Sequence, residues 1–159
     1  MKGSIRSIKP NTHHLLQSIV LSVIFRLGRW GTSCEFLKRK WFGRYALRAR
    51  IDDGSLKEAI KRAERGLVDA DLGGNIIKLR IARKGEGRSS GYRTVVAYKK
   101  GKKAVFLYGF AKNERENIDD AELTTFKEMA VAWFKANEQE ISRSLSNGLL
   151  QEVSYGKET

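Results

Sequence analysis

The spacing of apolar residues changes character along this chain, and each change marks an element. Leu15, Leu16, Ile19, Val20, Val23, Ile24 and Leu27 recur at helical spacing with Gln17, Ser18, Ser22 and Arg26 opposite, which predicts an amphipathic helix near the start. A short strand is expected over residues 36–40. A helix over residues 41–50 then presents Trp41, Tyr45 and Leu47 inward. The sequence DDGS ends that helix, and Ser55 with Glu58 has the S-x-x-E spacing of a capping box. Leu56, Ile60, Ala63 and Leu67 form the apolar face of the next helix, with Gly66 placed for its C-terminal cap.

After Gly73-Gly74 the pattern switches to segments rich in β-branched and aromatic residues, and residues 76–82, 92–98 and 104–110 read as strands. KKGKK, centred on Gly101, joins the last two as a hairpin, and the short connections predict an antiparallel meander. Another helix follows, capped by Asp119 or Asp120, with Glu122 in its first turn and a stripe of Leu123, Phe126, Ala130 and Trp133. A shorter helix runs from Asn137 to Asn147-Gly148, and a weak strand-like tail covers residues 149–155. No internal repeat or long linker divides the chain. The expectation is one α+β domain over residues 36–159, a small antiparallel sheet packed against helices. Residues 1–35 form an N-terminal extension and residues 136–159 a C-terminal helical extension.

The N-terminal extension carries no evident chemistry. Its apolar run, residues 19–25, is interrupted by Ser22 and followed by Arg26, too short for the ~20 residues that cross a bilayer. Lys2, Arg6 and Lys9 precede the run as in a signal peptide, yet Arg26 and Arg29 follow it and no small-x-small cleavage site is evident. An added amphipathic helix, or a start codon set too far upstream, are the readings preferred over export. No membrane partner is expected.

Charge narrows the function classes. The chain has 31 Lys and Arg against 18 Asp and Glu. Residues 36–103 hold 20 basic and 7 acidic side chains, whereas residues 104–159 hold 6 and 10. An even coat of lysines for solubility is not so lopsided, so the basic segment points to a polyanionic partner. Cys34 is the only cysteine and His13 and His14 are adjacent and remote from that segment. These exclude an intramolecular disulfide framework and leave too few ligands for zinc, so neither a metal nor another cofactor is expected, and the location reads as cytoplasmic.

The densest chemistry lies in IIKLRIARKGEGRSSGYR, residues 76–93. Strand alternation puts Ile77, Leu79 and Ile81 on one face and Lys78, Arg80 and Ala82 on the other, leaving the two cations on an exposed sheet face. Arg83, Lys84 and Arg88 extend this cluster through the loop, and Arg93 opens the next strand. Phosphate oxygens are the natural ligand for such a group, and the planar arginine fork suits them. The alternative is a solvated positive face, which also protects sheet edges. A second segment, FLYGFAKNEREN over residues 106–117, carries Tyr108 and Phe110 on one strand face. Tyr108 either stacks on an unpaired base or belongs to the core; Phe110 reads as core.

The order K-L-R, G-Y-R and G-F-A-K-N-E-R-E-N, with the earlier W-F-x-R-x-A and G-L-x-D-A-D-L-G-G, resembles the RelE/HigB group of toxins from bacterial toxin–antitoxin modules, across about residues 36–135. The resemblance implies a RelE-like meander and a metal-independent endoribonuclease that cuts mRNA on the ribosome. It also implies a cognate antitoxin, of helix-turn-helix type. In such an enzyme the RNA 2′-hydroxyl attacks the adjacent phosphate, and cations stabilise the charge that develops. Neighbouring positive charges also lower a lysine's pKa towards proton-transfer range. The catalytic candidates carried over are Lys78, Arg80, Arg93, Lys112 and Glu114, together with Tyr108. The RNA-binding candidates are Arg83, Lys84, Arg88 and Arg115. Two departures stand out: Asn113 occupies a position where some relatives have arginine, and Ile118, Asp119 and Asp120 stand where some have a catalytic tyrosine. Two other readings stay open, a toxin of the same fold that inhibits a protein target such as gyrase, as in the ParE branch, and a non-catalytic RNA-binding module.

Overall fold

The computed structural model describes residues 35–83, 85, 86 and 90–154. The expected helix near residues 15–27 therefore lies outside the described residues, as do Lys84 and Arg88. The strands are β1 Glu35–Arg39, β2 Ala70–Asp71, β3 Ile76–Ile81, β4 Tyr92–Lys99, β5 Lys103–Ala111 and β6 Leu150–Glu152. The helices are α1 Lys40–Arg48, α2 Asp53–Glu64, α3 Asp120–Lys135 and α4 Glu138–Ser146. All six strands join one sheet in the order β2-β3-β4-β5-β1-β6.

The meander β3-β4-β5 is antiparallel, as its short connections predict. Gly101 takes φ +69° at the tip of the β4-β5 hairpin, where Lys99 faces Lys103. Elsewhere the sheet depends on partners distant in sequence. β1 runs parallel to β5, and β6 pairs antiparallel with β1. Leu150 and Val153 are buried, so the C-terminal segment completes the sheet rather than hanging from it. The short β2, absent from the sequence expectation, sets Ala70 opposite Lys78 on β3.

Both faces of the sheet are covered. Thr94, Val95, Val96 and Ala97 all have no exposed surface, and such an unbroken buried run needs a layer on each side. On one side α1 and α2 pack Phe42, Tyr45, Leu56 and Ile60 against Ile77, Leu79, Ile81 and Phe106. On the other, Phe126, Ala130 and Ile141 of α3 and α4 meet Ile76, Val95, Val105 and Leu107. The expected open face of Lys78 and Arg80 is thus only partly open. Ile76 on that face is fully buried, Lys78 is half-buried and Arg80 is exposed.

Several helix details differ from expectation for local reasons. Trp41 (39 % exposed) and Leu47 (81 %) do not point into the core, because Phe42, Tyr45 and Ala46 at i, i+3 and i+4 take the inward face of α1. Phe42 stacks on Phe106 with ring centroids 5.2 Å apart. The cap of α2 is Asp52, not Ser55: the Ser55 N–H donates to Asp52 Oδ1 at 2.7 Å, so the earlier acidic residue starts the helix. Leu67 follows Gly66 (φ +82°) and is exposed beyond the helix end. Asp119 caps α3 in a full capping box with Glu122, and Asn137 does the same for α4 with Glu140.

Two irregularities shape the end of β5. Val95 faces Tyr108 while Val96 faces Phe106, so Leu107 is an extra residue that bulges the strand. β1 pairs with β5 only as far as Phe106, after which the chain turns into α1. Beyond that point β5 keeps β4 as its strand neighbour and the α1 aromatics lie alongside. Gly109 makes room for them, since a Cβ there would sit 2.6 Å from Tyr45 Cε1 and 3.0 Å from Phe42 Cε2. Among the described residues no helix is long and apolar enough to cross a membrane.

Candidate functional site

Lys78 and Arg80 alternate along β3, and the β3-β4 register places Arg93 directly opposite Arg80. With Asp69, Glu116 and Asn117 they line an open cleft of about 420 Å³. Two cations directly opposite in an antiparallel pair repel each other. The neighbours offset part of that repulsion. Asp69 Oδ1 lies 3.6 Å from Arg80 Nε, and its Oδ2 accepts the Arg80 backbone N–H at 2.6 Å. Arg93 Nη1 donates to the Glu116 carbonyl at 3.2 Å, and Lys78 Nζ donates to Asn117 Oδ1 at 3.3 Å. Three cations thus share the cleft with two acidic residues, Asp69 and Glu116, a positive surplus that suits an anion. Asp69 and Asn117 are residues the sequence reading missed. The strand-breaking stretch around D-A-D-L-G-G was a signal for Asp69, but its approach to Arg80 depends on β2 folding back onto β3.

The other candidates lie elsewhere. Arg83 does not continue the Lys78 cluster; its guanidinium carbon sits 4.8 Å from the centre of the Tyr92 ring. Tyr108 is half-buried, stacked on Trp41 (centroids 4.6 Å apart, planes at 14°) and packed against Phe126. Phe110 is in the core, as expected. Glu114 turns back and accepts the Ala111 N–H at 3.1 Å. Tyr108, Arg83 and Glu114 border a second open cleft of about 520 Å³, which Trp41, Tyr45 and Tyr92 also line. Lys112 is exposed and lines neither cleft.

Arg115 stands between the two. Its guanidinium donates to both Glu122 carboxylate oxygens at 2.8 and 2.7 Å and to the Tyr108 hydroxyl at 3.3 Å, while Nε donates to the Asn117 carbonyl at 2.9 Å. The Glu122 carboxyl is held below its ordinary range, first by Arg115 and then by the Asp119 N–H. Arg115 is raised in turn, chiefly by Glu122 and then by Tyr108. This arginine therefore fixes the 112–117 turn on α3 and braces one wall of each cleft.

A family model described as the RelE toxin of the RelE / RelB toxin-antitoxin system matches residues 35–153. The chain belongs to the RelE toxin family. It is a toxin of a toxin–antitoxin module, and a cognate antitoxin is its partner. The family match runs from the first residue of β1 to the residue after β6, so α4 and β6 belong to the RelE unit. Among curated proteins none matches the chain significantly.

Proposed function

We propose that this RelE-family toxin is an endoribonuclease that cuts mRNA on the ribosome without a metal, and that the Lys78–Arg80–Arg93 cleft holds the scissile phosphate. The observation that carries the reading is the convergence of these cations from adjacent strands on one cleft that also contains a carboxylate. The RNA 2′-oxygen attacks the neighbouring phosphorus and the bond to the 5′-oxygen breaks, leaving a 2′,3′-cyclic phosphate and a 5′-hydroxyl. Asp69 takes the 2′-hydroxyl proton and the Lys78 ammonium supplies one to the departing oxygen. Arg80 and Arg93 offset the charge that builds on the phosphorane. In this reading Lys112 has no catalytic part. The exposed hairpin lysines Lys99, Lys100 and Lys102 serve long-range attraction to RNA, whereas Lys103 is paired with Glu35. The antitoxin, of helix-turn-helix type, masks the cationic cleft with an acidic segment.

Single-turnover cleavage on programmed ribosomes at saturating toxin tests this. Arg93→Ala and Lys78→Ala should each lose about two orders of magnitude in rate, roughly 3 kcal/mol of transition-state stabilisation, whereas Lys102→Ala should keep nearly the full rate. Equal losses in all three would move the site off this cleft. Growth arrest by a toxin that cleaves no mRNA would favour the protein-target alternative.

A further inference from the structure

We propose that the second cleft, beside the open stretch of β5, is a seat for one unpaired nucleobase of the RNA. Its wall is aromatic, and Arg48, Arg83 and Arg115 line it together with Glu114. Trp41 lies nearly parallel to both Tyr108 and Tyr45, with centroids 4.6 and 5.7 Å away, yet more than a third of its surface stays exposed. Tyr108 itself is covered by Trp41 and Phe126, so the exposed indole, not the tyrosine, is the surface a base can reach. Tyr45 stands edge-on to Tyr92, and the Arg83 guanidinium lies over the Tyr92 ring. Aromatic and guanidinium planes of this kind stack on any base.

The second, independent observation is a pair of orphaned donors in the same wall. The Tyr45 hydroxyl and Arg83 Nε are shielded from solvent and have no hydrogen-bond partner among the described residues, and Tyr45 is 92 % buried (8 % exposed). Burial, then the Glu114 carboxylate, pushes the Tyr45 hydroxyl above its ordinary range, so it stays protonated and can donate. A buried donor left without an acceptor is destabilising. Both groups await acceptors, and the ring nitrogens and carbonyl oxygens of a nucleobase supply them. The position fits a strand of RNA. Glu114 and Arg115 line this cleft while Glu116 and Asn117 line the phosphate cleft, so the two are neighbours across one turn of chain. The inference rests on the ribonuclease reading only in that a base next to the scissile phosphate is the one placed here.

The test uses full-length toxin and fluorescently labelled 2′-O-methyl RNA hexamers of mixed sequence, which lack the attacking hydroxyl and stay intact. Anisotropy titration should show Trp41→Ala binding about tenfold more weakly, Trp41→Phe within about threefold of wild type, and Tyr45→Phe weakened several-fold. Lys102→Ala should mainly lower the salt slope by about one unit. Replacing one position of the hexamer by an abasic residue should reproduce the Trp41→Ala loss, and should cost nothing further in that variant. The idea fails if abasic hexamers bind wild type as tightly as intact ones, or if Trp41→Ala loses no more than Lys102→Ala. It also fails if Trp41→Ala binds RNA normally but no longer binds the antitoxin, since the cleft is then a protein-docking surface. Thermal unfolding checks each variant's fold, and the abasic series stands on wild type alone should Trp41→Ala not fold. Because the hexamers cannot be cut, a result here is separate from whether the toxin cleaves mRNA.

Discussion

Arg80 and Arg93 are register partners across β3 and β4, two arginines that the strand pairing itself sets opposite each other in one cleft. Asp69 stands next to Arg80 with one oxygen near its Nε and the other on its backbone N–H. The protein thus carries like-charge repulsion in this cleft and offsets part of it with the Asp69 carboxylate. The phosphate proposed to bind here would relieve the remainder.

Removing that carboxylate should therefore destabilise the free toxin. Asp69→Ala loses a backbone hydrogen bond and leaves Arg80 facing Arg93 without compensation. Since Arg80 is 45 % exposed, solvent screens much of the charge effect, and about 1 kcal/mol is expected. Urea unfolding should show a lower midpoint at unchanged slope. The deficit should shrink in high salt and in the Asp69→Ala/Arg93→Ala double variant. A deficit that neither change reduces would mean the two arginines do not sense each other.

Glu122 caps α3 and grips Arg115, and its stabilising effect should follow pH. Its folded pKa is depressed, so its contribution is fully present above the unfolded carboxylate pKa, near 4.3. The contribution is lost as pH falls from there through the folded value. Comparing wild type with Glu122→Gln by urea unfolding, the stability gap should be equal at pH 7 and pH 5.5 and clearly smaller at pH 3. A gap independent of pH over this range would show that shape, not charge, secures the 112–117 turn.

Truncation should separate the N-terminal extension from the RelE unit. Deleting residues 1–34 removes none of the strand pairings among the described residues, where β1 begins at Glu35, paired with Lys103. Cooperative unfolding and mRNA cleavage should both persist. Deleting residues 1–39 takes away β1, the strand between β5 and β6, and should abolish cooperative unfolding. If the shorter deletion folds normally but no longer cuts RNA, the extension has a part in the chemistry after all.

The meander, the hairpin at Gly101, the capped start of α3 at Asp119 or Asp120, the helical stretch after Asn137 and the apolar stripes of α2 and α3 could be read from the chain because each is decided by residues within a few positions of one another. Alternation along β3 likewise put Lys78 and Arg80 on one face, and the spacing to Arg93 let them be grouped. The rest needed partners far away in sequence. That β1 runs parallel to β5, that β6 closes the edge beside β1, and that α3 covers half of the Lys78 face depend on which apolar surfaces find each other in three dimensions. The same holds for Trp41. Periodicity alone could not choose between it and Phe42 for the core, and Phe42 prevails because Phe106 and the bare backbone of Gly109 lie beneath it. Arg83 was expected among the phosphate-binding cations, but the end of β3 carries it to Tyr92 and the aromatic cleft. Sequence determined every element but β2 and grouped the cationic and aromatic side chains, since these follow from local spacing and side-chain type. Only the tertiary structure divided the candidate residues between two clefts, because proximity across a sheet is set by strand order and register.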